Sequence, residues 1–173
     1  MPIYIALLRA VNVGGTGKLP MTELTSMCEK AGFTKVKTYI ASGNVVFDSG
    51  ASEAQVKAAL EKALLAYAGR PVLVLVRSAE EMAAVLAANP FPKAPPNRTV
   101  AIFMDRAPAP DTADKVSGQK SEELALGKRE VYVHYGDGMA DSKLKVPGAE
   151  VGTARNMNTV AKLVAMAAAA ATP

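Results

Sequence analysis

Cysteine and histidine are each nearly absent from this 173-residue sequence, which holds only Cys28 and His134. One thiol cannot form an intrachain disulfide, so a disulfide-stapled secreted scaffold is excluded and a reducing, cytoplasmic location is expected. One imidazole and one thiol fall short of the clustered ligands that stable transition-metal sites use, so no metal and no cofactor are expected. Tryptophan is missing and aromatic residues make up 5% of the chain. That is thin material for a base-stacking sheet face, since the third strand offers only Phe47. No apolar run is long enough to cross a bilayer, which takes about 20 residues in a helix, and the Ala-rich stretch Leu163 to Ala171 is better read as a packed terminal helix. The N-terminal apolar run Pro2 to Val13 is interrupted by Arg9 and lacks the basic start and cleavage site of an export signal. No membrane partner is expected. Charge of one sign is also modest. Lys and Arg exceed Asp and Glu by 20 to 16, a formal +4 shared evenly between the two halves, far from the dense positive field of a dedicated nucleic-acid binder.

Half of the residues are apolar, ample for a buried core in one large domain or two small ones. Ile3 to Arg9 reads as a strand ended by the Gly-rich loop Asn12 to Lys18. Pro20 then opens a helix whose Leu24, Met27, Cys28 and Ala31 recur at helical spacing until Gly32. Val36 to Ile40 and Val45 to Phe47, joined by Ala41-Ser-Gly-Asn44, predict a hairpin. Ser52 with Gln55 makes a capping box for a helix that carries Val56, Leu60, Ala63, Leu64 and Tyr67 on one face. The near-continuous apolar run Pro71 to Val76 predicts a strand buried on both faces. The order is βαββαβ, that of a ferredoxin-like lobe.

Ser78 with Glu81 begins a linking helix, and the Pro-rich stretch Asn89 to Pro96 ends it as an exposed connector anchored by Phe91. Beyond it, Thr99 to Met104 predicts a strand, Asp111 to Val116 a short helix, Glu122 to Leu126 and Val131 to Tyr135 a hairpin, and Ala154 to Ala171 a long helix capped by Thr153. The expected fold class is therefore α+β with two ferredoxin-like (α/β plait) lobes, the second a βαββα variant. The boundaries are residues 1–88 for the first lobe with its linking helix, 89–98 for the connector and 99–173 for the second lobe.

The loop Asn12-Val-Gly-Gly-Thr-Gly-Lys18 fails both nucleotide-binding templates, since a P-loop needs Gly at position 12 and Ser or Thr at 19, and the dinucleotide fingerprint needs Gly at 20. It remains a Gly-rich loop with a Lys, leading into a helix N-terminus that favours negative charge. In the expected topology the first and third strands are antiparallel neighbours, so Arg9, Asn12, Gly14, Gly15 and Lys18 meet Ser42, Gly43 and Asn44 at one sheet end, with Arg70 opening there too. The plainer alternative is that the glycines permit turns while Ser42 and Asn44 satisfy their own backbone.

Five blocks, Arg9-Ala-Val-Asn-Val-Gly-Gly15, Lys18-Leu-Pro-Met-Thr-Glu-Leu24, Thr38-Tyr-Ile-Ala-Ser-Gly-Asn-Val-Val-Phe47, Asn89-Pro-Phe-Pro92 and Arg155-Asn-Met-Asn-Thr-Val-Ala-Lys-Leu163, resemble the bacterial family catalogued as domain of unknown function 1697. The resemblance spans nearly the whole chain and implies paired ferredoxin-like lobes, with no established activity to carry over. It also leads one to expect an aromatic residue, commonly Trp, where this chain has Met157. The last block adds Arg155 and Asn156, expected in the first turn of the terminal helix and within reach of the site.

Cys28 falls on the apolar face of its helix, and His134 alternates with apolar neighbours on a strand. Neither has a catalytic setting. Three functions follow: a binding module for a phosphorylated small molecule, nucleotide or nucleic-acid end; a phosphoryl or acyl-phosphate hydrolase by fold analogy, with Asn12 or Asn44 orienting a water; and an RNA-binding sheet face.

Overall fold

The computed structural model of the chain describes residues 2–12, 18–136 and 142–171. Within them lie four α-helices and two four-stranded antiparallel sheets, a mixed α+β architecture. The chain divides into two compact units, Met1–Met82 with Leu163–Pro173, and Ala83–Lys162.

The first unit contains β1 (Ile3–Leu8), α1 (Met21–Lys30), β2 (Thr34–Tyr39), β3 (Asn44–Asp48), α2 (Glu53–Ala68) and β4 (Val74–Ser78). The order βαββαβ is the predicted one. Across the sheet the strands run β2-β3-β1-β4, with Ile5 opposite Val46 on one side and Arg77 on the other. Alternation along β1 sends Tyr4, Ala6 and Leu8 into a cluster with Leu24, Phe47 and Leu60, where Phe33 stacks on Phe47 at 4.4 Å between ring centroids. Ile5, Leu7 and Leu75 on the opposite face are buried as well, and so is Arg77. Burial on both faces is why these strands read as unbroken apolar runs.

Local chemistry sets the helices. In α2 the Ser52 side chain accepts from the Gln55 backbone N–H at 3.2 Å while the Gln55 side chain accepts from the Ser52 N–H at 2.9 Å, completing the predicted capping box. In α1, Leu24, Met27 and Cys28 point inward, and loss of hydration, helped by Glu29, pushes the Cys28 thiol up to about 12. Cys28 is a core residue. Strand β2 is a sheet edge, and its exposed Lys35 and Lys37, with an irregularity between Thr34 and Lys37, deter pairing with another chain.

A third helix, α3 (Ala79–Ala87), follows β4, started by reciprocal bonds between Ser78 and Glu81. In the connector after it, Phe91 is half-buried, its ring 6.0 Å from that of His134.

The second unit corrects the sequence reading. Its sheet is not the three-stranded remnant of a βαββα lobe: β5 (Thr99–Phe103), β6 (Glu123–Leu126), β7 (Glu130–His134) and β8 (Thr153–Asn156) run in the order β6-β7-β5-β8. The terminal helix α4 starts at Met157 rather than Ala154. Residues 153–156 instead pair with β5, Arg155 opposite Ala101. A four-residue strand carries little periodicity, and it was hidden by the helical spacing that follows. Asn156, not Thr153, caps α4, accepting from the Thr159 backbone N–H at 2.9 Å. The helix expected over Asp111 to Val116 is a single 3-10 turn, Thr112–Lys115. No helix among the described residues is long and apolar enough to cross a membrane.

Candidate anion site at one end of the first sheet

Three segments of the first unit converge beyond the end of β1. The Leu8 N–H donates to the Gly43 carbonyl at 2.8 Å and the Arg9 N–H to the Leu73 carbonyl at 2.9 Å, which ties the chain leaving β1 to the hairpin turn on one side and to the approach to β4 on the other. Asn12 completes the junction. Its amide nitrogen donates to the carbonyls of Leu19 (2.9 Å) and Ala41 (2.8 Å), and its amide oxygen accepts from the Leu19 N–H at 2.6 Å. The antiparallel argument from sequence thus describes the true neighbourhood. Its roles for individual residues need revision.

Asn12 and Asn44 are builders. Asn44 is wholly buried, its side chain donating to the Tyr39 carbonyl and the Ser42 hydroxyl, each at 2.9 Å. An amide in that position shapes the hairpin turn and presents nothing to a ligand. Gly43 has φ +92°, and a Cβ there would lie 2.7 Å from Val11 Cγ2 and 2.9 Å from Leu8 Cβ. Glycine is therefore demanded by close packing as well as by the backbone. Left-handed backbone recurs nearby at Ala10 (φ 56°), Asn12 (φ 56°) and Ile40 (φ 50°). Such conformations cost energy, most for β-branched Ile40, and persist where surrounding contacts impose them.

Beside this scaffold opens a cavity of about 440 Å³. Val11, Leu19, Leu64 and Val72 supply apolar walls, Lys18 and Arg70 two cations, and Tyr67 an exposed phenol. Lys18 comes from just before α1, Arg70 from between α2 and β4, and Tyr67 from the last turn of α2. Arg9 is exposed on the same junction. Gly14 and Gly15 lie outside the described residues. Among the described residues no three His, Cys, Asp or Glu side chains are grouped to hold a metal ion.

Arg155 and Asn156 belong to β8 of the second unit, not to a helix. Arg155 is buried and donates to the Thr153 hydroxyl at 2.7 Å and the Ala154 carbonyl at 2.9 Å, and burial pulls its pKa down to about 10. Met157, in the position of the expected aromatic, is 3% exposed and packs.

The model of the family described as Protein of unknown function (DUF1697) matches residues 1–132. The chain belongs to that family. No curated protein matches this DUF1697 chain. Among solved structures it is similar to the conserved bacterial protein SP0830 from Streptococcus pneumoniae, at 29% identity and a TM-score of 0.80 over 96% of this chain and 98% of that one. The converging segments fall within the matched residues.

Sequence reasoning misplaced Tyr67, assigned to the buried stripe of α2. It is 46% exposed, in the last turn of the helix just before the Gly69 cap. The available signal was an aromatic directly ahead of a helix stop and a basic residue.

Proposed function

We propose that this DUF1697 chain is a binding module for a phosphorylated or similarly anionic ligand, a nucleotide or nucleic-acid end, held in the cavity between Lys18 and Arg70. One observation carries the reading: two cations from segments 52 positions apart in the sequence border one apolar-walled cavity, with an exposed tyrosine at its rim. Arg70 offers the two-pronged geometry that suits phosphate oxygens and Lys18 a mobile point charge. The apolar walls suit a ligand with a flat or aliphatic part beside its charge. The strand order and helix placement of the first unit are those of a ferredoxin-like plait, which we infer for both units, and the lone buried cysteine accords with a bacterial cytoplasm.

Binding is favoured over hydrolysis because the described residues bordering the cavity include no carboxylate, imidazole or thiol, and Asn12 and Asn44 are engaged with backbone and so poorly placed to orient a water. A sheet-face mode of RNA binding is disfavoured too, since both faces of β1 are buried.

The test is a thermal-shift panel of inorganic phosphate, nucleoside monophosphates and sugar phosphates against the intact chain. A bound phosphorylated ligand raises Tm by mass action. Lys18→Ala and Arg70→Ala, both at exposed positions, should each weaken binding about tenfold, equivalent to about 1.4 kcal/mol, with the unliganded Tm unchanged. Affinity should also fall with added salt. No shift across the panel, or the same shift in the double variant, overturns the proposal.

A further inference from the structure

Tyr67 borders a second cavity as well. The facing surfaces of α1 and α2 leave a groove of about 660 Å³ lined by Met27, Ala59, Ala63, Lys30 and Lys62, with Glu23 the one carboxylate among its described lining residues. We infer that the ligand surface runs from the Lys18/Arg70 cavity over Tyr67 into this groove, and that its occupant is a short single-stranded nucleic acid rather than a mononucleotide. The inference rests on the anion-site reading above and deepens it.

Three features of the surface support it. Taken together, the described residues lining the two cavities present four cations and one carboxylate, a sign preference matched to a polyanion rather than to a single phosphate. The cations fall in two pairs, one in each cavity, and Tyr67 borders both. A strand with one phosphate at Lys18 and Arg70 and another toward Lys62 would cross Tyr67 between them. Finally, Tyr67 is 46% exposed and offers a ring on which a base can stack whatever its identity, the device of sequence-tolerant single-strand binders. The small side chains Ala59 and Ala63 keep the adjoining groove broad enough for a flat base. An acidic peptide would satisfy the lysines and leave the tyrosine without a role, so the tyrosine decides between them.

The experiment is fluorescence anisotropy of the intact protein with labelled oligo-dT and oligo-U of two, four and eight nucleotides, alongside competition by the mononucleotides and by an oligo-glutamate peptide. Affinity should rise at least tenfold from one nucleotide to four in the deoxy or the ribo series. The Lys30→Ala/Lys62→Ala double variant should remove most of that gain and leave mononucleotide binding unchanged. Tyr67→Leu should weaken the tetranucleotide about tenfold, and Tyr67→Phe, which keeps the ring, should restore it. Mononucleotide binding that depends on Lys18 and Arg70, with no gain on lengthening, overturns the strand inference and leaves the anion site standing. Competition by oligo-glutamate equal to that of the tetranucleotide, with no effect of Tyr67→Leu, overturns it in favour of an acidic peptide. Absence of binding by every nucleotide and oligonucleotide overturns both.

Discussion

The two sheets place their strands in the same spatial order, β2-β3-β1-β4 and β6-β7-β5-β8, and back them differently. In the first unit α1 and α2 lie over one face, and a large cluster around Phe47, Leu24 and Leu60 fills the space beneath. In the second, Val100, Ile102, Val131 and Val133 pack with Val146, Val116 and Leu144 from the chain between strands. That chain is held by specific bonds. Ser117 and Lys145 exchange backbone hydrogen bonds of 3.1 and 2.8 Å, and the Glu122 carboxylate accepts from the Ser142 hydroxyl and the Lys120 N–H. Helices satisfy their own backbone and so can cover a sheet with apolar side chains alone, whereas irregular segments must find partners for each buried polar group. The fourth strands are nonetheless alike. Each carries a buried Arg directly across from the central strand, Arg77 opposite Ile5 and Arg155 opposite Ala101. Each guanidinium donates to the carbonyl of the preceding residue, at 3.0 and 2.9 Å.

The contrast can be broken most sharply in the cores. Phe47→Ala should cost about 3–5 kcal/mol and Met104→Ala about 2 kcal/mol, because an aromatic stacked in a deep cluster leaves a larger hole than a thioether at the margin of a shallow one. Equal losses in chemical denaturation would mean that the loop-covered core is as tightly packed as the helix-covered one.

Gly43 and Gly32 share nearly the same φ, +92° and +90°, yet a Cβ on Gly32 meets nothing within 4 Å. Gly43→Ala should therefore cost about 3 kcal/mol from clash and strain together, and Gly32→Ala about 1 kcal/mol from strain alone. A matching pair of Tm changes would refute the packing argument for the hairpin turn. Asn12→Ala should destabilise the first unit by about 1–2 kcal/mol through lost bonds to Leu19 and Ala41, and should also weaken phosphate binding by loosening the segment that carries Lys18. Undiminished affinity at reduced stability would separate scaffold from site.

The smallest effect concerns pH in the second unit. Hydrogen bonds from Ser142, then Lys120, hold the Glu122 carboxyl below its ordinary value of 4.5. Its folded-state value is depressed, so the stabilisation is present above the unfolded value and fades as pH falls through the lowered one. The Tm difference between the wild-type chain and Glu122→Gln should be constant at neutral pH and vanish in acid. A difference that persists below the usual carboxylate range would assign the effect to packing.

Much of the first unit was legible because its signals are local. The Ser52/Gln55 box, the Ala41–Asn44 turn and the apolar period of α2 each lie within a few residues, and the βαββαβ order then fixed which loops meet. Strand β8 was not legible. Four residues running directly into a helix show no period of their own, and only the open edge of β5 makes them a strand. Asn12 and Asn44 were recognised as special polar positions, but a sequence cannot tell an amide that grips a ligand from one that grips a backbone.

By itself, then, the sequence determined the mixed α+β class, the first unit's element order, the core position of Cys28 and the meeting of the chain leaving β1, at Leu8 and Asn12, with the hairpin turn. Tertiary structure alone decided that β8 completes a second four-stranded sheet, that Arg155 is buried within that sheet, and that the exposed Tyr67 borders two cation-lined cavities. The physical reason is the same in each case. Turns, caps and periodicity are fixed by interactions among neighbours in the chain, whereas strand pairing at an edge, and the depth to which a side chain is covered, depend on surfaces contributed by residues far away in sequence.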